Sequence, residues 1–398
     1  MTAPTSTLDV AAARAQLPAT REVAYLNFGT EGIVAEPVLQ GYLEVLARFE
    51  RFGYWERNHL AGEPAACRER VAGLVGAAVD EVAITRNGTD GVSMILGSLP
   101  WREGDELLIG SEEHPAIVYP AFALQSTRGV RVRRFRFAHD PVATIEAFRN
   151  ALSPRTRLAA FSHVSCETGL RNPAAELIAL AHERGVPVLL DGAQSVGVLA
   201  VDFAALGADY LTGSAHKWLC GPKGTGMLVV RRDRLDGLAP AYVGGGSLEE
   251  GFPWSELERP ETVRVRFQPS AARFEYGMRN PALYAGLRLA IEHLDRLGWE
   301  AIRAHQRGLT ERLKARLAEL PGVRTQTPLD WERSSAIVNF GLDGLPGREL
   351  SQRLWNEHRI VQRAVREPDG VRISSGYCTA DEDHDRLIAA LRAISAAG

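Results

Sequence analysis

Between residues 81 and 230, short apolar runs alternate with stretches whose apolar residues recur at helical spacing. The runs 81–85 (EVAIT), 105–109 (DELLI), 130–135, 158–164 (LAAFSHV), 187–191 (PVLLD), 209–212 and 227–230 predict strands. Residues 89–98 and 174–184 predict helices, the second ended by Gly185. The strand runs are nearly continuous in apolar residues, the pattern of a mostly parallel sheet buried on both faces in an α/β fold. After about residue 281 the pattern changes. Two long amphipathic helices (283–297 and 301–320) meet at Gly298, and are followed by a strand at 336–340 and a helix at 348–357. Strands near Ile360 and at 371–374 and a helix at 381–395 complete a smaller α+β unit. The expected organisation is an N-terminal arm (1–24) packing with the small unit, a large domain (25–281) and a small C-terminal domain (282–398). Ligands of open α/β sheets bind beyond the C-terminal strand ends, so functional residues are expected in those loops, with contributions from the small domain.

Composition narrows the class. The chain has 398 residues, 45% hydrophobic and 24% charged, with a net charge of −3 and no long basic run. A nucleic-acid or membrane-surface binder is disfavoured. The longest uncharged stretch, 114–127, spans about 14 residues and holds two prolines, short of the ~20 a membrane span needs. The first residues show no basic start followed by an apolar core, so no secretory signal is read. The four cysteines (Cys67, Cys166, Cys220, Cys378) form no CxxC and suggest a reducing compartment, so the expected location is the cytoplasm.

The chemistry concentrates in 209–226, DYLTGSAHKWLCGPKGTG. Lys217 follows a strand and precedes a glycine-rich turn, with Ser214 and His216 beside it. A hydroxyl, an imidazole and exposed backbone N–H groups are the parts needed to hold a phosphate next to an amine. A solvated loop lysine is the plain alternative. The glycine turn lacks the Gly-Lys-Ser/Thr ending of a P-loop, which argues against an NTPase. Asp191 closes the apolar run VPVLLD, and a carboxylate there needs a cation or donor, or else serves as a helix cap. Gln194 stands three positions on with an amide to donate.

Together, Asp191-Gly-Ala-Gln194, Ser214-Ala-His216-Lys217 and Gly221-Pro-Lys-Gly-Thr-Gly226 resemble the cofactor signature of fold-type-I pyridoxal-phosphate enzymes. The resemblance is to the class V aminotransferase group, which contains cysteine desulfurases, selenocysteine lyases and isopenicillin N epimerase-like proteins, and it runs from about Tyr25 to the last helix. It implies pyridoxal 5'-phosphate carried on Lys217 as a Schiff base, with Lys217 as the base at the substrate Cα. Asp191 would meet the ring nitrogen, and Gln194 and Cys166 (in HVSCETG) the ring oxygen. His114 would stack on the ring. Gly88 and Thr89 in TRNGTDGVSM would meet the phosphate, with Ser214 and His216. Arg372 would bind the substrate α-carboxylate through a bidentate fork, with Asn27 also on the substrate side.

Three departures qualify the resemblance. Cys166 stands where desulfurases place Asn. Met278 stands, in Arg273–Asn280, where a neighbouring subunit normally offers a threonine to the phosphate, so this contact is lost or supplied by Arg279; a homodimer is still implied. Residues 358–371 hold no cysteine where the mobile loop of a desulfurase carries its persulfide-forming nucleophile, and Cys378 lies past Arg372. His163 and Cys166 alone make no metal site, because zinc takes three or four ligands. The expected activity is therefore epimerase-like or a C–S/β-lyase. Transamination comes next, then desulfurase or selenocysteine lyase chemistry, with a silent cofactor-fold binding protein or a nucleotide-binding α/β protein as readings from other classes.

Overall fold

The structure is a computed structural model describing residues 7–249, 254–259, 261 and 263–396. The first six residues of the expected arm and the last two of the expected small domain lie outside the described residues. Thirteen strands are described: β1 (Ala24–Tyr25), β2 (Val82–Thr85), β3 (Glu106–Gly110), β4 (Arg131–Phe135), β5 (Thr156–Ser162), β6 (Val188–Asp191), β7 (Tyr210–Ser214), β8 (Gly226–Val230), β9 (Val323–Thr325), β10 (Ile337–Leu342), β11 (Ile360–Val361), β12 (Arg363–Arg366) and β13 (Asp369–Ser374).

Seven strands form the large sheet in the order β2-β8-β7-β6-β5-β3-β4, with β8 antiparallel to both neighbours and the other pairs parallel. Alternate residues of each strand leave on opposite faces, and both faces are covered. Leu108, Phe161, Leu190 and Val229 join one apolar cluster, while Leu107, Ala160, Leu189 and Leu228 join another. The helices Glu63–Val75, Ala174–His182 and Pro281–Leu297 supply the first cluster, and Gly88–Ser98 and Pro115–Arg128 the second. This is the expected α/β class.

The smaller sheet, β12-β13-β10-β9, is antiparallel throughout. The N-terminal segment lies beside it: β1 pairs parallel with β11 in a separate two-stranded sheet, and Asn27 bridges Ser374 of β13. Arg14 adds an ion pair to Asp383 at 2.5 Å.

Several elements differ from expectation. Residues 114–127 are helical: Pro115 opens Pro115–Arg128 at a position whose N–H is unused, so a proline there is compatible with the helix. Pro120 lies inside and is tolerated. Glu36–Phe52 and Pro141–Ala151 are further helices not read from the pattern. Residues 358–371, the stretch compared with a desulfurase's mobile loop, contain β11, expected near Ile360, and the start of β13, together with β12, which was not read from the pattern. The charged run RAVR in β12 disguises it, because only Ala364 and Val365 are apolar. Among the described residues no helix is long and apolar enough to cross a membrane.

Candidate active site

The C-terminal ends of β5, β6 and β7 and the turn after β2 meet at one edge of the large sheet, and the small sheet packs above them. A cavity of about 310 Å³ lies there, lined among others by Gly88, Thr89, His114, Asp191, Gln194, Ser214, His216, Lys217 and Arg372. Two predicted residues are not in its lining. Cys166 turns its thiol to Glu167 Oε1 at 3.2 Å, and Asn27 Oδ1 accepts from Arg372 Nη2 at 3.1 Å.

Lys217 and Asp191 are both almost fully buried. Burial holds the Lys217 amine below the usual lysine range, and the Asp191 charge only partly opposes this. Burial likewise raises Asp191, with Lys217 opposing. Asp191 Oδ1 accepts from Ala193 N–H at 2.8 Å. The N-terminal segment closes the other side, where Gly32 N–H donates to His216 O at 2.7 Å. A Cβ on Gly32 would come within 2.0 Å of Lys217 O, so glycine is required there.

His114 caps the helix it precedes, with Nδ1 accepting from Ala116 N–H at 3.0 Å; this assigns the neutral ring's proton to Nε2. Burial, then the Lys217 charge, lowers its pKa to about 4. His216 is lowered by the same two causes, and its Nδ1 is buried without a partner. Asn87 caps the helix Gly88–Ser98, and Gly88 N–H donates to Ser214 Oγ at 3.1 Å. Gln194 is held in the cavity wall: Nε2 donates to Gly29 O at 2.8 Å and Oε1 accepts from Trp218 Nε1 at 2.9 Å. Arg372 is 1% exposed and donates through Nη1 to Cys166 O and through Nη2 to Asn27 Oδ1 and Thr30 Oγ1. Its Nε is buried without an acceptor.

This donor set fits pyridoxal phosphate. An amine whose charged form burial disfavours lies near a carboxylate that burial leaves wanting a positive partner, a neutral imidazole is at hand for a ring face, and a helix N-terminus with a serine and an orphaned imidazole nitrogen suits a phosphate.

Sequence reasoning missed Gly29, Thr30, Glu31 and Arg363, which also line the cavity. It also passed over Glu113, whose carboxylate accepts from Ser162 N–H and, at 2.6 Å, from Ser162 Oγ–H. Burial pushes Glu113 from its ordinary 4.5 up to about 8, with Asp191 and Glu112 adding repulsion against the Ser162 donors. A raised folded-state value means folding takes up a proton between about pH 4.5 and 8, so stability is full below that window and falls as pH rises through it. The fall is up to about 1.4 kcal/mol per pH unit. Glu113→Gln cannot ionise and is expected to flatten the decline in melting temperature between about pH 4.5 and 8. An unchanged decline would place the titrating group elsewhere.

Comparisons with known proteins agree with this geometry. Residues 34–377 match the aminotransferase class-V family. The chain is similar to isopenicillin N epimerase of Streptomyces clavuligerus, with 32% identity covering 96% of this chain and 98% of that protein. It is also similar to a cysteine desulfurase of Synechococcus elongatus, with 34% identity over 83% of this chain and 53% of that longer protein. Among solved structures, the cystine C–S lyase C-DES, in complex with its reaction product cysteine persulfide, superposes with a TM-score of 0.86 at 30% identity, covering 94% of this chain and 99% of that one.

Proposed function

The chain belongs to the class V aminotransferase family, a pyridoxal-phosphate-dependent group, and from that premise we propose that it is a β-lyase cleaving a Cα-activated amino acid at a Cβ–S bond. One observation carries the reading: Lys217, Asp191, His114 and Arg372 face one cavity in whose lining no cysteine stands. Pyridoxal phosphate, when bound, engages the substrate amine and accepts the electron pair left at Cα. Gly88, Thr89, Ser214 and His216 hold its phosphate and Asp191 its ring nitrogen. Arg372 binds the α-carboxylate and sets which Cα bond is broken. Asn27 acts on the substrate through Arg372, because its Oδ1 fixes the guanidinium. Lys217, whose charged form burial disfavours, takes the Cα proton. The sulfur leaves with the Cβ–S electron pair and takes up a proton; the released enamine reacts with water to give a keto acid and ammonia. Gln194, with one N–H on Gly29 O and Oε1 accepting from Trp218, orders the wall and keeps its second N–H for the ring oxygen.

The cysteines support direct lyase chemistry over a protein persulfide. All four are buried, and burial pushes Cys166 and Cys220 up to about 12 and Cys378 higher still. The likeness to isopenicillin N epimerase favours a second reading, removal and return of the Cα proton with inversion. That reaction needs proton donors on both sides of Cα, whereas elimination needs the one amine present. The test uses the cofactor-loaded protein with L-amino acids bearing a β-sulfur or β-chloro group. Pyruvate and ammonia in equal amounts are expected, with full activity in Cys378→Ala. Recovery of the D-amino acid without pyruvate would establish epimerisation, and a persulfide trapped on Cys378 with activity lost in Cys378→Ala would establish a desulfurase.

The functional unit is a homodimer. Met278, Tyr54 and Trp55 are 81%, 77% and 75% exposed in the single chain, apolar surface suited to a second copy. An active, cofactor-loaded monomer in sedimentation would refute this.

A further inference from the structure

Two adjacent carboxyl groups stand beside the cavity, and the reaction at Cα uses neither. Glu112 and Glu113 precede His114 in the loop between β3 and the helix Pro115–Arg128. Carboxylates withdrawn from water are ordinarily paired with a cation. These two bond instead to hydroxyl and N–H groups, all in the loop that follows β5. Glu113 takes Ser162, the register partner of Asp191 in the large sheet. Glu112 Oε2 accepts from Ser165 Oγ–H and from Thr168 Oγ1–H, each at 2.6 Å. Both of those residues are buried. Ser165 Oγ itself accepts from Glu167 N–H and Thr168 N–H at 3.2 Å, so its one proton is left for Glu112. A single carboxylate oxygen thus grips the turn 165–168 at both ends.

Between the two gripped hydroxyls lie Cys166 and Glu167. Cys166 O accepts from Arg372 Nη1 at 2.8 Å, and Glu167 accepts from Arg363 Nη2 at 2.7 Å. The turn is therefore where loops of the large sheet take hold of the small sheet's arginines. The segment that grips it also carries His114, which lines the cavity. Three consecutive residues set the placement of the imidazole relative to the Arg372 guanidinium.

Building on the reading of Arg372 as the α-carboxylate anchor, we propose that Glu112 is a positioning residue: it holds the turn 165–168 so that Cys166 O aims the Arg372 guanidinium at the substrate. Glu112 is not in the cavity lining and acts only through the turn. A guanidinium fork is directional, and a misplacement of about 1 Å costs up to ~10²-fold. Free hydroxyls at Ser165 and Thr168 would leave the carbonyl between them without a fixed direction.

The test uses the cofactor-loaded protein and two amines, L-alanine and ethylamine, the second being the first without its carboxylate. The concentration of each that half-saturates the change in cofactor absorbance is measured. The wild type is expected to prefer L-alanine, and Glu112→Ala to lower that preference about 10-fold with ethylamine unmoved. Glu112→Gln, whose amide oxygen still accepts from both hydroxyls, should restore most of the preference. Thr168→Val, which removes one of the two donors, serves where the alanine variant does not fold and should lower the preference about 3-fold. An equal weakening of both amines, or an unchanged preference, would leave Glu112 a structural residue and overturn the proposal while the Arg372 reading stands. A wild type with no preference for L-alanine would overturn the Arg372 reading and this proposal together.

Discussion

Lys217→Ala is expected to cut turnover by at least about 10³-fold, because one change removes both the covalent anchor for the cofactor and the base at Cα. Borohydride reduction of the cofactor-loaded wild type, followed by peptide mass mapping, should place the pyridoxyl adduct on Lys217. The competing lysines are otherwise engaged: Lys223 Nζ donates to Gly32 O at 2.9 Å, and the buried Lys314 Nζ to Pro328 O and Ser334 Oγ. An adduct only on Lys223 or Lys314, or a Lys217→Ala variant of ordinary activity, would end the assignment. The loss should reside in kcat, since Arg372 and the phosphate cup remain.

Arg372→Lys is expected to lower kcat/KM by about 10²-fold, chiefly through KM, because an ammonium cannot reproduce a planar fork on the α-carboxylate. Arg372→Ala should do worse and also destabilise the chain. It strands Cys166 O, Asn27 Oδ1 and Thr30 Oγ1, which now accept from the guanidinium, in a buried setting. Measuring both variants separates the effects. A melting temperature preserved in Arg372→Lys alongside the raised KM assigns the residue to binding; unchanged kinetics in Arg372→Lys would remove it from the site.

Asp191, Ser214, His216 and Lys217 were legible because each lies at or just past the C-terminal end of an apolar strand run, where chain position alone fixes placement at the sheet edge. The α/β class was legible for the same reason: β3, β6 and β8 are buried at every position. The protein partners of Gln194 were not legible, since a side-chain amide partners whatever folds onto it. Here that is Gly29, 165 positions away. Arg363 was invisible because its meaning comes from a hairpin register with Arg372 and from Glu167, 196 positions earlier. The helix Pro115–Arg128 was obscured by two prolines that sequence pattern treats as breaks.

The pairing of the N-terminal segment with late strands has a consequence for biosynthesis. Residues 24–32 leave the ribosome early, yet β1 waits for β11, Asn27 for Ser374, and Phe28 N–H for Ser374 O at 3.2 Å. More than 300 residues are made in between, so the pocket wall beside Lys217 closes only when translation is nearly finished. A nascent chain, or one cut short before Arg372, carries Lys217 but has no Arg372 guanidinium to seize a carboxylate. Premature termination thus yields a protein unable to orient an amino acid, and the reactive lysine becomes useful only in a chain made to the end.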